Sequence, residues 1–381
     1  MVYMDNSATT RQYSCVSEAM IKYAEEFYGN PSSLHSMGLT AENGVKNARK
    51  ILASSIGAKP HELYFTSGGT EADNMALFGF AAKGKRRGNK IITTSVEHPA
   101  VLECCKKLQN EGFEIVYLNP DKTGRINLIE LEEAIDENVI LISVMGVNNE
   151  TGAKFPLEEI YRIKERANKN RSYKIPLHSD MVQGFMKENI EFLEFADAIS
   201  VSAHKIHGPK GIGALFVKDD YSIPALILGG GQENGLRSGT ENVPAITGFA
   251  AAVEKACAAL NNEYAKAEKF KKNFAAAIFD RIDDVILNGS MENSSPYILN
   301  LSFMGVKAEV LLHVLEQDGI YISTGSACSS KSNRKSHVLT AMGLSNERID
   351  SAIRFSFGHF NDFSEIEYVM DKLQQGVKRL R

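Results

Sequence analysis

Short apolar runs alternate along this chain with segments whose apolar residues recur every three to four positions. The runs ELYFTSGG, NKIITTSVEH, FEIVYL, VILISVMGV, KIPLHSD, ADAISVSAH and GIGALFV read as strands. VSEAMIKYAEEFYG, TEADNMALFGFAAKGKRRG, PAVLECCKKLQNEG and PLEEIYRIKERANK read as helices. Gly29 with the turn Asn30-Pro31 stops the first helix, and Pro99 suits the first turn of the third. Strands that are apolar almost throughout, separated by helices, predict an α/β fold whose mostly parallel sheet is covered on both faces.

The pattern changes near Pro244. Residues 245–282 form one long helical pattern with Ala and Lys at surface-like spacing, long enough to bridge two lobes. VILNGS, YILNLSFMG, AIRFSFG and two further helices then predict a smaller α+β domain. The expected division is a large domain of residues 14–250 and a small domain of residues 1–13 with 251–381.

Composition narrows the function classes. The 381 residues suffice for such a pair of domains, and a net charge of -4 gives direct nucleic-acid binding no electrostatic support. The sequence opens without a charged, apolar leader and shows no run of about 18 apolar residues, so no membrane attachment and a cytoplasmic location are expected. The five cysteines, Cys15, Cys104, Cys105, Cys257 and Cys328, are odd in number and include no CxxC pair. Neither a disulfide framework nor a metal site is expected, and a free thiol fits a reducing compartment.

In open α/β sheets ligands sit beyond the carboxyl ends of the strands. Five such ends carry chemistry here. ELYFTS is followed by Gly68-Gly69-Thr70 at a helix start, able to cradle an anion. The next strand leads to His98, another to Asn148-Asn149, KIPLHS to Asp180 with Gln183 beyond, and ADAISVSA to His204-Lys205. Each alone is more often a cap, a turn former or a solvated end. Together they supply an anion cradle, an imidazole, an amide, a carboxylate and a lysine, which are the needs of pyridoxal phosphate.

At these residues the sequence resembles the cysteine desulfurases of the NifS/IscS-like subgroup, fold type I pyridoxal-phosphate enzymes of the class V aminotransferase group. The motifs MDNSATT, GNPSSLH, FTSGGTEADN, EHPAVL, VNNETG, SAHKIHGPKGIGAL, RSGTENV, GSACSS and SAIRFSFGHF carry the resemblance over nearly the whole chain. It implies that Lys205 bonds the cofactor aldehyde, Asp180 pairs with the ring nitrogen, Gln183 meets the ring hydroxyl and His98 stacks on the ring and relays protons. Thr70, Ser202 and His204 would hold the phosphate with backbone at Gly69, and Thr240 would reach the phosphate of the other subunit of a homodimer. Asn149 would lie near ring and substrate. Arg354 and Asn30 would bind the carboxylate of L-cysteine, a guanidinium being suited to two oxygens at once.

Cys328 would be the nucleophile that takes sulfur from the substrate, releasing alanine and leaving a persulfide for an acceptor, an Fe-S scaffold or a thiolation enzyme. Passing that sulfur on requires an accessible thiol on a mobile segment, which Gly325 and the polar stretch 329–336 suit, while Lys331, Arg334 and Lys335 would favour the thiolate. Met181 and Val182 are bulkier than the pair common in relatives and are expected to change packing beneath the ring. The alternatives are selenocysteine lyase or another class V reaction, and a silent sulfur-transfer scaffold. Cys328 argues against transamination, and the set Lys205, Asp180, His98 and Arg354 argues against the scaffold.

Overall fold

The structure is a computed structural model that describes residues 1–189, 194–324 and 335–381. Its strands are β1 (Val2–Tyr3), β2 (Leu63–Thr66), β3 (Lys90–Thr94), β4 (Glu114–Leu118), β5 (Val139–Ser143), β6 (Leu177–Asp180), β7 (Ala198–Ser202), β8 (Gly213–Val217), β9 (Val285–Leu287), β10 (Ile298–Phe303), β11 (Ile320–Tyr321) and β12 (Ala352–Ser356). The main sheet has the order β2-β8-β7-β6-β5-β3-β4. β8 runs antiparallel to both its neighbours and every other pairing in this sheet is parallel.

The apolar runs end in strands because both faces of the sheet are covered. One face packs under the helices Ser14–Glu25, Ser36–Ser55, Leu157–Asn168 and the first half of Val243–Arg281, through residues such as Leu52, Ile160 and Phe249. The other packs under Gly69–Gly84 and Pro99–Asn110, through Met75, Phe80 and Leu108. Helix Ser36–Ser55, not legible from periodicity, approaches its neighbour closely: a Cβ on Gly44 would lie 2.5 Å from the Tyr23 ring.

A second core gathers Val2, Met4, Phe270, Phe274, Leu301, Phe355 and Leu373. It belongs to the antiparallel sheet β12-β10-β9 and the small parallel pair β1-β11. The helix Val243–Arg281 places Phe249 and Val253 in the first core and Phe270 and Phe274 in the second. At 39 residues it is about 58 Å long. By length and composition it could cross a bilayer, but 56% of its most apolar window is buried inside the protein, which accounts for the apolar character.

Candidate active site

The ends of β3, β5, β6 and β7 lead to a cavity of about 750 Å³. Gly69, Thr70, His98, Asn149, Asp180, Gln183, Ser202, His204, Lys205 and Arg354 all line it, drawn from four strand ends, one helix start and β12. A Cβ on Gly69 would lie 2.6 Å from Cγ2 of Val182, so the bare backbone lets the helix start approach the turn after Asp180 without displacing that side chain.

Asp180 closes β6, buried, with Oδ1 accepting from the Val182 N–H at 2.9 Å. Burial pushes its carboxyl up to about 6, while the Val182 N–H and Lys205 pull against that shift. Beneath it lies a polar layer absent from the sequence reading. His178 meets Ser143 Oγ through Nδ1 and Ser200 Oγ through Nε2, each at 2.9 Å. Burial lowers this imidazole to about 3, so it is neutral at ordinary pH. Asp73, at 3.6 Å from His178, is raised well above the carboxylate range by burial and by Asp180. Its Oδ1 has no hydrogen-bond partner among the described residues.

Lys205 ends the short turn Ala203–Lys205 after β7. Its Nζ donates to the carbonyls of Ser7 at 2.5 Å and Ala8 at 2.8 Å. The amino-terminal segment therefore crosses the site. Thr10 donates from Oγ1 to the His204 carbonyl at 2.8 Å, and Thr9 Oγ1 lies 3.1 Å from His204 Nδ1. Burial, then Lys205 and Lys210, lower His204 to about 4.

His98 caps the helix Pro99–Asn110: its Nδ1 accepts from the Ala100 N–H at 3.2 Å. That contact puts the proton of the neutral ring on Nε2. Burial, then Lys205 and His337, lower the ring to about 4. Arg354 donates from Nη1 to the Asn149 carbonyl at 3.0 Å and from Nη2 to Asp5 Oδ1 at 2.7 Å. Its buried Nε has no partner among the described residues, and Nη1 and Nη2 each carry a second N–H that can serve a further anion.

Asn30 and Thr240 are exposed and do not line this chain's cavity; Asn30 Oδ1 accepts from the Ser32 N–H at 2.9 Å. Cys328 lies outside the described residues, as do Gly325, Lys331 and Arg334. Lys335 lines the cavity, 3.5 Å from Asp350. Met181 is fully buried, and its Cε occupies the space beside Gly184, where a Cβ would come within 2.6 Å.

Sequence reasoning missed Ser7, Ala8, Asp73, Glu150 and His337, which also line the cavity. Ser336 donates to Glu150 Oε2 at 2.5 Å and His337 Nε2 lies 2.9 Å from the Glu97 carbonyl. Both follow directly on the segment that contains Cys328. The signal present was the polar pair Ser336-His337 opening a short helix.

Residues 2–369 match the aminotransferase class-V family. A cysteine desulfurase IscS of Dictyoglomus turgidum is 41% identical over all of this chain and 95% of its own length. The cysteine desulfurase of Homo sapiens is 40% identical, again over all of this chain and 82% of the human protein. Among solved structures, a NifS-like protein superposes with a TM-score of 0.92 at 38% identity, covering 99% of both chains.

Proposed function

The chain belongs to the aminotransferase class-V family, as a pyridoxal-phosphate-dependent cysteine desulfurase, and on that premise we propose how its own residues divide the work. The observation that supports the division is that Lys205, Asp180, His98 and Arg354 line one cavity. The residues present fit the cofactor. A glycine start to a sixteen-residue helix, with Ser202 and His204 beside it, suits a phosphate; buried Asp180 suits a ring nitrogen; Lys205 suits the aldehyde. When bound, the group supplies an electron sink that weakens bonds at the α and β carbons of an amino acid.

Arg354 holds the carboxylate of L-cysteine with its remaining donors, and Asn149 and Asn30 complete that binding. Lys205 Nζ takes the substrate's α-proton. With the cofactor bound, His98 would stack on its ring and present Nε2–H, Gln183 would meet the ring hydroxyl, and Thr240 of each protomer would reach the phosphate of the other in a homodimer. The Cys328 thiolate attacks the substrate sulfur. One S–S bond forms and one C–S bond breaks, so L-cysteine and the enzyme thiol become L-alanine and an enzyme persulfide. The sulfur then goes to an acceptor protein for Fe-S assembly or thiolation, in the cytoplasm. The cavity would sit between a domain of residues 14–250 and one of residues 1–13 with 251–381; the separate core of Val2, Phe270, Leu301 and Phe355 supports a second domain, while Tyr13, Val338, Leu339 and Ile349 pack into the first core.

The test is incubation with L-cysteine followed by mass spectrometry of each thiol peptide and measurement of alanine. Extra sulfur on Cys328 with equimolar alanine is expected. Keto acid in place of alanine, or sulfur release undiminished in Cys328→Ala, overturns the reading.

A further inference from the structure

Lys187 follows Gln183 by one turn of chain and points inward. It is only 8% exposed, and its Nζ lies 3.2 Å from Gln183 Oε1. Among the described residues no carboxylate lies within 4.0 Å of that amine. Buried lysines without a paired carboxylate are rare, because the charged head loses water and gains little. Burial, then Lys205, hold this amine down to about 7, with Arg354 acting the same way and Glu188 opposing.

A second, independent feature marks the position. Met186, immediately before it, has φ 53°. Residues with a β-carbon avoid this left-handed region, and such outliers persist where the surroundings impose them. Met186 is itself buried, so this backbone turn and the lysine beside it both lie inside the protein.

The amide of Gln183 has two chemically different ends. A lysine ammonium or amine hydrogen can only be given to Oε1, and the Ser7 carbonyl can only receive from Nε2, which it does at 2.9 Å. The same Ser7 carbonyl receives from Lys205 Nζ. Nε2 carries a second N–H, and Gln183 lines the cavity. Lys187 itself lines a smaller cavity with Tyr297 and His359.

We propose that Lys187 is a positioning residue: its hydrogen bond to Gln183 Oε1 locks the amide with Nε2 toward Ser7 and the cavity, which fixes Gln183 as a donor to the ring hydroxyl of the cofactor. Either protonation state of the amine has a hydrogen to give, so the lock holds across neutral pH. The inference rests on the cofactor reading above, and concerns how that cofactor's ring oxygen is held rather than whether it is bound.

The test uses the full-length protein loaded with pyridoxal phosphate. The absorption band of the bound cofactor reports the ionisation of its ring, and cofactor affinity is measured by fluorescence. In Lys187→Met the pH midpoint of the band should move by about half a unit or more, and affinity should fall about fivefold to tenfold, the scale of one lost hydrogen bond. In the Gln183→Ala background the same substitution should do neither. An unmoved midpoint overturns the proposal, whether or not affinity changes, because lost packing alone would lower affinity. So does a shift that persists undiminished without Gln183. If Lys187→Met does not fold, Lys187→Arg decides: with N–H groups retained at that depth, a parental midpoint is expected, and a displaced one overturns the lock. A parent protein that takes up no cofactor and stays colourless would instead sink the cofactor reading.

Discussion

Arg354 and Asp5 are joined side chain to side chain across 349 residues of sequence, Nη2 to Oδ1 at 2.7 Å. The guanidinium is 2% exposed, so its charge is compensated within the protein. Asp5 sits in the amino-terminal segment that also supplies the Ser7 and Ala8 carbonyls to Lys205. One short stretch thus holds both the Lys205 amine and the Arg354 guanidinium.

Asp5→Asn should therefore destabilise the protein by about 1–3 kcal/mol, since a buried charge loses its ionic partner and keeps only a neutral one. Urea denaturation of the cofactor-free protein checks this. An unchanged midpoint would mean the pair is as weak as a surface ion pair.

Arg354→Lys should raise KM for L-cysteine about tenfold to a hundredfold, with a smaller change in kcat and normal uptake of cofactor. An ammonium is a point charge and cannot reach the Asn149 carbonyl, Asp5 and a substrate carboxylate in the fixed plane a guanidinium offers. Steady-state kinetics across cysteine concentration separate the two constants.

Much of this was legible in the sequence. The strands of the main sheet are continuous apolar runs, and each functional run is followed at once by the polar residue it presents, as β6 presents Asp180 and β7 leads to Lys205. What was hidden depends on distance along the chain or on backbone sign. Nothing in NSATT marks Ser7 as a carbonyl acceptor for a lysine 198 positions later. His178 and Asp73 sit inside segments whose apolar neighbours mask them, and they meet only because the helix Gly69–Gly84 lies over β6. The antiparallel direction of β8 leaves no trace in GIGALFV, since a strand covered on both faces reads the same in either direction. The left-handed turn at Met186 is likewise unreadable from a methionine.

Glu97 makes the stability of the cofactor-free protein depend on pH. It is fully buried, accepting from Thr94 Oγ1 at 2.8 Å and from the Met145 N–H. Burial pushes its carboxyl from 4.5 up to about 8, against those hydrogen bonds. A carboxyl raised in the folded state binds its proton more tightly there than in the unfolded chain. Its contribution is fully present below pH 4.5 and is lost as pH rises through about 8. Across that window stability should fall by up to about 1.4 kcal/mol per pH unit from this group. Glu97→Gln, which cannot ionise, should flatten the fall, as denaturant titrations at several pH values would reveal.

Ser336, eight residues after Cys328 in the sequence, performs two tasks. Its Oγ accepts from the Leu339 N–H at 3.0 Å, capping the helix His337–Ala341, and donates to Glu150 at 2.5 Å. Ser336→Ala should cost about 1–3 kcal/mol, combining a lost cap with a buried carboxyl left one hydrogen bond short. Ser336→Thr, which keeps the hydroxyl, should recover most of it. Thermal melts of the three proteins decide.

His98 caps a helix, and on the function proposed above it would have a second role that a single substitution can separate from the first. As a helix cap it needs only an acceptor for the Ala100 N–H; over the cofactor it would need a flat ring with Nε2–H. Asparagine is a strong cap and has no ring. His98→Asn should therefore leave the unfolding midpoint nearly unchanged while kcat falls about a hundredfold to ten-thousandfold, the scale of a lost acid-base group. Because the ring is lowered to about 4, it stays neutral from pH 6 to 8, and the parental pH–rate profile should contain no step from its protonation in that range. A profile with a midpoint near 6.5 that vanishes in His98→Asn would show the imidazole to be hydrated, and the buried, capped geometry would not be the one that works. A large loss of stability in His98→Asn would show instead that the ring's packing, and not the cap, holds the start of the helix Pro99–Asn110.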